Sequence, residues 1–183
     1  MDITENLLDK LRPIRLMVLD VDGVLTDGSL FFHANGGQES KAFNTQDGQG
    51  IKLLQASGVK MAIITGRVSK VVSLRAEALS IEHTLLGRED KITALSEIVN
   101  ELNLDWSQVG YCGDDLPDLA AIRKAGFGAS VANAPSYIQQ YSDYTTQREG
   151  GKGAVREITD LIMQAQGTWQ ACIDHYLYNL RAH

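Results

Sequence analysis

Short apolar runs that end in polar residues or glycine recur along the chain and predict the strands of a buried sheet. The first run, Leu16 to Leu19, ends at Asp20 and is continuously apolar, as expected for a strand covered on both faces. Three later runs repeat the pattern: Val59 to Ile64 before Thr65, Thr84 to Leu86 before Gly87, and Val109 to Cys112 before Gly113 and Asp114. The runs predict strands that carry polar groups at their carboxyl ends.

Between these runs, apolar residues recur at steps of three and four, which is the spacing of one helix face. The pattern predicts helices over Gly50 to Ser57, Ser69 to Leu79, Lys91 to Leu102, Leu116 to Ala125 and Ala154 to Ala165. Strands that alternate with helices favour a parallel sheet. We therefore predict an α/β fold, a Rossmann-like three-layer sandwich around a central parallel sheet.

One segment breaks this alternation and predicts a projecting β-hairpin. Ser29 to Phe32 and Glu39 to Phe43 flank Asn35-Gly36-Gly37, a composition typical of a hairpin turn. Only 45 residues separate Asp20 from Thr65, and the hairpin, a strand and a helix use most of them. The spacing leaves no room for a cap domain.

Composition limits the architecture and the partners. A chain of 183 residues that is 44% hydrophobic can close one core, so we predict one domain over residues 1–167 and a C-terminal tail over residues 168–183. The net charge of −6 opposes a nucleic-acid partner. No run reaches the roughly 18 apolar residues of a membrane span, and the N-terminus lacks a signal-peptide pattern. With only Cys112 and Cys172 present, a reducing, cytoplasmic location and no membrane partner are expected.

Reactive side chains fall at the predicted strand ends, where ligands of open parallel sheets bind. These are Asp20 with Asp22, Thr65, Lys91, and Asp114 with Asp115. Two carboxylates separated by one residue can divide the work at one centre, since one can attack while the other transfers a proton. Carboxylates drawn from two strands suit Mg²⁺, and a hydroxyl with an ammonium completes a cradle for a phosphoryl group.

Four motifs at these positions resemble those of the haloacid dehalogenase superfamily, in the same order. They are Leu19-Asp20-Val21-Asp22-Gly23-Val24, Ile64-Thr65-Gly66-Arg67, Lys91 and Gly113-Asp114-Asp115. The resemblance implies that Asp20 is the nucleophile of an aspartyl-phosphate and that Asp22 is the general acid and base. It also implies that Thr65 and Lys91 bind the phosphoryl group and that Mg²⁺ is held by Asp20, Asp114 and the main-chain carbonyl of Asp22, with Asp115 in support.

A narrower resemblance runs from about Leu16 to Gly167, to a capless branch of that superfamily whose members act on the phosphate ester of an eight-carbon sugar acid in lipopolysaccharide precursor synthesis. The motifs that carry it are residues 20–28, Lys41-Ala42-Phe43-Asn44, Asp47-Gly48 and Gly50-Ile51. It implies a homotetramer in which a neighbouring subunit helps to cover the site. Two interpretations stay open for Arg148, Gly150, Gly151 and Lys152, which could approach a neighbour's site or form an ordinary loop before a helix.

The organic part of the substrate is assigned to two arginines and one segment. Arg67 and Arg75 are eight residues apart, so on one helix they would lie within about 80° of each other and could hold a carboxylate. The resemblance places the segment from Asn44 to Gly48 at the substrate. The full predicted substrate-binding set is Asp22, Asn44, Thr45, Asp47, Gly48, Thr65, Gly66, Arg67, Arg75 and Lys91.

Other functions stay open at this point. Phosphatases of another nonulosonic acid or sugar phosphate would use the same phosphoryl site. A signalling receiver domain also places acidic residues, Thr and Lys on a parallel sheet, although its acidic pair comes first in the chain, whereas the Asp114 pair comes last. A noncatalytic assembly module would have no need to keep Asp20, Asp22, Lys91 and Asp114 together. Dehalogenase chemistry needs no acid at Asp22.

Overall fold

A six-stranded parallel sheet forms the centre of the protein, and a separate two-stranded hairpin projects from it. The computed structural model describes residues 4–34 and 39–179. The strands are β1 (Leu16–Leu19), β2 (Phe31–Phe32), β3 (Glu39–Ser40), β4 (Lys60–Thr65), β5 (His83–Leu86), β6 (Val109–Cys112), β7 (Phe127–Ser130) and β8 (Tyr144–Thr145). Strands β2 and β3 pair antiparallel as the hairpin, and the other six form the parallel sheet.

The order of strands in the large sheet is β5-β4-β1-β6-β7-β8. The chain moves outward from β1 to β4 and β5, then returns to β6 on the other side of β1 and moves outward again to β8. The direction therefore reverses between β1 and β6. In an open parallel sheet, the crevice at the carboxyl ends of the strands on either side of such a reversal is the usual ligand site.

Helices cover both faces of this sheet. They are α1 (Glu5–Leu11), α2 (Thr45–Ala56), α3 (Lys70–Ala78), α4 (Lys91–Glu101), α5 (Leu119–Lys124), α6 (Ser136–Gln139), α7 (Ala154–Ala165) and α8 (Trp169–Asp174). Helix α2 packs on α7, and α4 packs on α5. Right-handed crossovers place these two pairs on opposite faces, because the chain travels in opposite directions along the sheet between them. The predicted α/β sandwich without a cap domain is confirmed.

Strand β1 lies at the middle of the core because both of its faces are covered. All four of its residues are buried, and so are those of its neighbour β6. Helix α7 contributes to the same core a buried apolar stripe that includes Val155, Ile158 and Ile162. The continuous apolar sequence of β1 thus reflects its central place in the sheet.

Several element bounds differ from the sequence prediction for local reasons. β1, β6 and α7 have the predicted bounds, whereas α2 begins five residues early because Asn44 caps it. Helix α3 begins only at Lys70, where the Ser69 hydroxyl accepts a hydrogen bond from Val72 N. Arg67 precedes α3 and Arg75 lies within it, so the separation of about 80° expected for the two arginines on one helix does not apply. α1, β7, β8, α6 and α8 were not predicted.

The hairpin exposes its aromatic side chains, while the segment after Gly167 packs on the helices. Phe31 and Phe32 are 58% and 69% exposed, and the predicted turn at Asn35-Gly36-Gly37 lies outside the described residues. Helix α8 packs on α7, with the Arg156 guanidinium 5.7 Å from the Trp169 ring centroid. The longest described helices have 12 residues, well short of the roughly 20 that cross a bilayer.

Candidate active site

Asp20 occupies the carboxyl end of β1, next to the point where the strand order reverses. Its backbone N–H donates to the Cys112 carbonyl at 3.0 Å, which continues the pairing of β1 with β6. The side chain is buried, and its Oδ1 lies 2.9 Å from Lys91 Nζ. The strand pairing thus fixes the backbone of Asp20, and the ammonium of Lys91 orients its carboxylate.

Asp114 approaches Asp20 from the end of β6 across a glycine. A Cβ atom at Gly23 would lie 2.0 Å from Asp114 Oδ2, and the φ of Gly23 is +95°. Both the close approach and the left-handed backbone require glycine at this position. Gly23 therefore allows the turn after β1 to sit directly against the second carboxylate of the site.

Asp118 completes the cluster, and the sequence analysis missed it. Its Oδ1 accepts hydrogen bonds from Lys91 Nζ and the Tyr111 hydroxyl, both at 2.6 Å. Its Oδ2 accepts from the backbone N–H groups of Asp114 at 3.2 Å and Asp115 at 3.3 Å. With four donors around it, the buried carboxylate of Asp118 holds the loop that carries Asp114.

Three carboxylates in this cluster fit a divalent cation. One oxygen from each of Asp20, Asp114 and Asp118 lies within 4.8 Å of the other two. Burial and then the charge of Asp118 raise the pKa of Asp20 to about 8 and that of Asp114 to about 7, although Lys91 opposes both shifts. A bound cation would offset this cost of burying like charges. Because Asp118 is already engaged by four donors, Asp20 and Asp114 are better placed as ligands.

Asp115, which was predicted to support the metal, lies outside this set of three. It is exposed, and its Oδ1 accepts a hydrogen bond from Leu116 N at 2.8 Å at the start of a short 3-10 helix, Leu116–Asp118. This contact caps the helix and fixes the turn that brings Asp118 inward. The signal for Asp118 was present in the sequence as an acidic residue after Leu116-Pro117, a combination typical of a helix start.

Lys91 provides the positive charge of the cluster from the first turn of α4. The side chain is buried, and Asp90 caps the helix by accepting a hydrogen bond from Thr93 N. Burial lowers the pKa of Lys91, but the carboxylates of Asp20 and Asp118 outweigh that effect and raise the pKa above its ordinary value. Lys91 therefore stays an ammonium beside the carboxylate of Asp20.

Thr65 and Gly66 lie at the end of β4, on the edge that carries Asp20. The buried Thr65 hydroxyl accepts a hydrogen bond from Arg67 N at 3.4 Å, and the Thr65 carbonyl accepts one from Arg88 N at 2.9 Å. The second contact ties the end of β4 to the loop that leads to Lys91. The two predicted phosphoryl-binding residues are thus held on adjacent, connected loops.

Asp22 contacts side chains at the base of the hairpin and on the loop after β4. It accepts a hydrogen bond from Lys41 Nζ, and its Oδ2 lies 3.9 Å from Arg67 Nε. Glu39 joins the same group, 3.6 Å from Arg67 and 3.9 Å from Lys41. The guanidinium of Arg67 also lies 5.9 Å from the Phe32 ring centroid. The hairpin therefore supplies Lys41, which was not predicted as a site residue, to one of the two predicted catalytic carboxylates.

The predicted substrate-binding segment is only partly exposed. Thr45 is exposed in the first turn of α2, whereas Asp47 is buried and accepts a hydrogen bond from Arg156 N at 2.8 Å. A Cβ at Gly48 would lie 2.4 Å from Arg75 Nη2. Asp47 and Gly48 therefore contact α7 and α3.

Arg75 and Arg67 contact different groups. Arg75 donates to the Asn44 carbonyl at 3.3 Å and lies 5.5 Å from the Phe43 ring centroid, whereas Arg67 contacts Asp22 and Glu39. The Asn44 side chain caps α2 by accepting from Gln46 N at 2.7 Å. The pairing of both arginines with one anion thus remains a prediction, with Arg67 the more exposed of the two.

Comparisons with known proteins place this geometry in a family. A family profile described as haloacid dehalogenase-like hydrolase matches residues 87–158. The chain is 42% identical over 165 residues to the 3-deoxy-D-manno-octulosonate 8-phosphate phosphatase KdsC of Escherichia coli K12, which covers 90% of this chain and 87% of that one. The corresponding Yersinia pestis protein is also 42% identical, over 164 residues and the same shares.

Solved structures agree with these relatives. A probable YrbI family phosphatase from Pseudomonas syringae superposes with a TM-score of 0.93 at 50% identity, over 95% of this chain and 98% of that one. The Moraxella catarrhalis 3-deoxy-D-manno-octulosonate 8-phosphate phosphatase, solved with magnesium, phosphate and KDO, gives 0.91 at 45% identity over 94% and 99%. The fold and site thus define a haloacid dehalogenase-like hydrolase. Within that class, the chain belongs to the 3-deoxy-D-manno-octulosonate 8-phosphate phosphatase family.

Proposed function

We propose that this protein is a Mg²⁺-dependent phosphatase that hydrolyses 3-deoxy-D-manno-octulosonate 8-phosphate to the free sugar acid and phosphate. The observation that carries the proposal is the buried cluster of Asp20, Asp114 and Asp118 around Lys91, at the reversal of strand order. Relatives that carry this name match most of the chain. The cluster provides a nucleophile, a cation site and a fixed positive charge at one place.

Asp20 and Asp114, with the main-chain carbonyl of Asp22, are the proposed ligands of Mg²⁺, and Asp115 is proposed as outer support. A bound ion would offset the negative charge of the phosphoryl oxygens and so favour attack by the Asp20 carboxylate on phosphorus. Asp118 holds the loop of Asp114 and the ammonium of Lys91 in place. The chain thus supplies the hard oxygen ligands that Mg²⁺ prefers.

In the first step, a carboxylate oxygen of Asp20 forms a bond to phosphorus. The bond between phosphorus and the ester oxygen of the sugar breaks, and the departing oxygen takes a proton from Asp22. Lys91 and the Thr65 hydroxyl donate to the phosphoryl oxygens as their charge shifts. The products of this step are the free sugar acid and an aspartyl-phosphate on Asp20.

In the second step, Asp22 acts as a base. Its carboxylate takes a proton from a water molecule, whose oxygen forms a bond to phosphorus. The bond from phosphorus to the Asp20 oxygen breaks, which restores the Asp20 carboxylate and releases phosphate. One carboxyl group thus serves both steps, as acid and then as base. The contact with Lys41 orients Asp22 toward the open side of the site.

The sugar acid is proposed to bind on this open side, next to the base of the hairpin. Arg67 is 44% exposed there and can pair with the carboxylate of a sugar acid. Gly66 leaves the loop before Arg67 free of a side chain. Asn44 and Thr45, at the start of α2, remain proposed contacts, and Arg75, Asp47 and Gly48 are proposed to support them through the packing beneath them.

We further propose a cytoplasmic homotetramer. The exposed Phe31 and Phe32 on a two-stranded hairpin support assembly, because aromatic side chains are enriched at protein interfaces. Replacement of both by serine should lower the mass measured by light scattering. An unchanged mass would place the interface elsewhere. The free thiols of Cys112 and Cys172 fit a reducing compartment.

The direct test is phosphate release by the purified protein across a panel of sugar phosphates and sugar-acid phosphates, with Mg²⁺ and with a chelator. Metal-dependent turnover concentrated on 3-deoxy-D-manno-octulosonate 8-phosphate is the expected result. Equal turnover of many sugar phosphates would indicate a broad phosphatase. No release from any substrate would favour a noncatalytic module.

A further inference from the structure

Two glycines in the loop before α7 lie against residues 20–26, here called the catalytic turn. A Cβ at Gly150 would lie 1.7 Å from the Gly23 carbonyl oxygen. Gly151 N donates to the Val24 carbonyl at 2.9 Å, and a Cβ at Gly151 would lie 2.5 Å from the Thr26 carbonyl carbon. The loop of residues 148–153, here called the glycine loop, therefore backs the turn that carries Asp20 and Asp22.

Side chains from two other elements hold the glycine loop in place. Asn133, after β7, accepts a hydrogen bond from Gly150 N at 2.9 Å. Asn44, before α2, donates to the Gly151 carbonyl at 3.3 Å. The loop is thus anchored on both sides, and the second anchor belongs to the segment that was predicted to bind the substrate.

Asp47 fixes the end of the loop that enters α7. The N-cap of α7 is Gly153, which has no side chain to cap the helix. Asp47 reaches over from α2, is 1% exposed, and accepts a hydrogen bond from Arg156 N at 2.8 Å. A carboxylate from another helix thus supplies the acceptor that an N-cap residue normally provides.

Packing around Asp47 explains the glycines that follow it. A Cβ at Gly48 would lie 2.4 Å from Arg75 Nη2, and a Cβ at Gly50 would lie 2.4 Å from Thr159 Oγ1 on α7. The absence of side chains at both positions lets α2 lie close to α7 and α3. The motif Asp47-Gly48-Gln49-Gly50 is therefore a packing motif that brings Asp47 to the start of α7.

We propose that Asp47 is a positioning residue, which holds the catalytic turn in its reactive geometry through the start of α7 and the glycine loop. The inference rests on the proposed function, because it concerns the geometry of Asp20 and Asp22 in that reaction. In this role, Asp47 acts through its contacts within the protein and does not contact the substrate. A positioning role lowers kcat, whereas a lost substrate contact raises KM.

The first test compares Asp47→Ala with Asp47→Asn and Ile162→Val. Asp47→Ala removes the acceptor, and we expect kcat to fall by about 10-fold to 100-fold with little change in KM, as for a small misplacement of reacting groups. Amide hydrogen exchange in residues 20–26 should become faster. Asp47→Asn keeps the acceptor oxygen and should restore both readouts. Ile162→Val, a buried change later in α7, should lower Tm and leave kcat unchanged.

The second test adds a side chain to the glycine loop at the position that faces the catalytic turn. Gly151 and Gly167 have nearly the same backbone angle, with φ values of +68° and +71°, so alanine is strained at both. Only at Gly151 would the new Cβ meet the catalytic turn, since no atom of the described residues lies within 4 Å of a Cβ at Gly167. We expect Gly151→Ala to lower kcat and speed exchange in residues 20–26, and Gly167→Ala to do neither.

Two results would overturn the inference. One is an Asp47→Ala protein whose kcat and exchange in residues 20–26 match the wild type. The other is a rise in KM alone, which would assign Asp47 to substrate contact. Failure of the proposed function looks different. The wild type would then release no phosphate from the sugar acid phosphate, while the exchange comparison would still decide whether Asp47 holds the turn.

Discussion

The two charged clusters at the carboxyl end of the sheet differ in their balance of charge. In the buried cluster, the carboxylates of Asp20, Asp114 and Asp118 face one ammonium, Lys91, which leaves two negative charges. In the outer cluster, two carboxylates, Asp22 and Glu39, face two cations, Lys41 and Arg67. The buried cluster thus needs a divalent cation, whereas the outer one is already neutral.

This difference in charge assigns different roles to the two clusters. A buried site with excess negative charge binds Mg²⁺ and, through it, a phosphoryl group, since charge is costly to leave uncompensated in the interior. In the neutral cluster, Arg67 is the exposed member, at 44%, and it can exchange its partners for those of an arriving sugar acid at little cost, because exposed ion pairs are weak. Chemistry is therefore expected to depend on the buried cluster and on Asp22, and substrate choice on the outer cations.

The largest effect is expected where the two clusters meet, at Asp22. Asp22→Asn removes the proposed proton donor of the first step, and kcat should fall by roughly 10² to 10⁴. Steady-state kinetics with Mg²⁺ measure it. Asp27→Asn is a matched control, because Asp27 lies five residues later in the chain and is exposed. A loss at Asp22 no greater than that at Asp27 would remove the acid and base role.

The buried cluster is tested next through Lys91. Lys91→Met keeps the length of the side chain but removes its charge, and kcat should fall by about 10² to 10³, the effect of losing one group that stabilises transition-state charge. Lys52→Met, an exposed position on α2, should leave kcat unchanged. Similar kinetics for the two variants would mean that the buried ammonium plays no part in catalysis.

The excess negative charge should also make Mg²⁺ binding depend on pH. The pKa values of Asp20 and Asp114, about 8 and about 7, stand above the ordinary 3.8. The metal-free fold therefore holds protons that the unfolded chain has lost, and the stability contributed by these groups falls as pH rises from 3.8 to about 8. Mg²⁺ competes with those protons, so its affinity changes in the opposite direction.

We expect the Kd for Mg²⁺ to fall by more than tenfold between pH 6 and pH 7, because both proposed ligands are largely protonated there and more than one proton leaves for each ion bound. Isothermal titration calorimetry in buffers of different ionisation enthalpy measures both the affinity and the number of protons released. The balance of charge described for the buried cluster would be wrong if affinity stayed constant from pH 6 to pH 8.

The smallest effect is expected in the outer cluster. Arg67→Ala should raise KM by about tenfold with little change in kcat, the scale of one lost charge-assisted hydrogen bond. Arg123→Ala serves as the control, since Arg123 lies on α5 beside the ring of Tyr141. A fall in kcat with constant KM would assign Arg67 to the chemical steps. It would contradict the division of roles between the two clusters.

The sequence predicted those parts of the molecule whose signal is local. The bounds of β1 and α7 were predicted to the residue, those of β1 from its continuous apolar run and those of α7 from its apolar stripe. β7 was missed because Phe127-Gly128-Ala129-Ser130 contains few apolar or β-branched side chains, although the strand is fully buried. Gly128 lies where a Cβ would meet the Ile122 carbonyl at 2.2 Å, so close packing selected a small residue over a strand-forming one.

The candidate site followed the same division. Asp20, Lys91 and Asp114 were predicted from polar residues at strand ends, and the structure brings them together. Asp118 and Lys41 were missed because their burial and partners depend on tertiary packing. Asp118 turns inward because a 3-10 helix follows Asp115, and Lys41 contacts Asp22 from its position directly after β3 of the hairpin.

The most direct test of the account is phosphate release from 3-deoxy-D-manno-octulosonate 8-phosphate by the wild type and by Asp20→Asn, both with saturating Mg²⁺ and with folding checked by circular dichroism. The account predicts turnover by the wild type and a loss on the order of 10⁴-fold or more in the variant, because an amide cannot form the aspartyl-phosphate. Turnover by Asp20→Asn near the wild-type rate would contradict it.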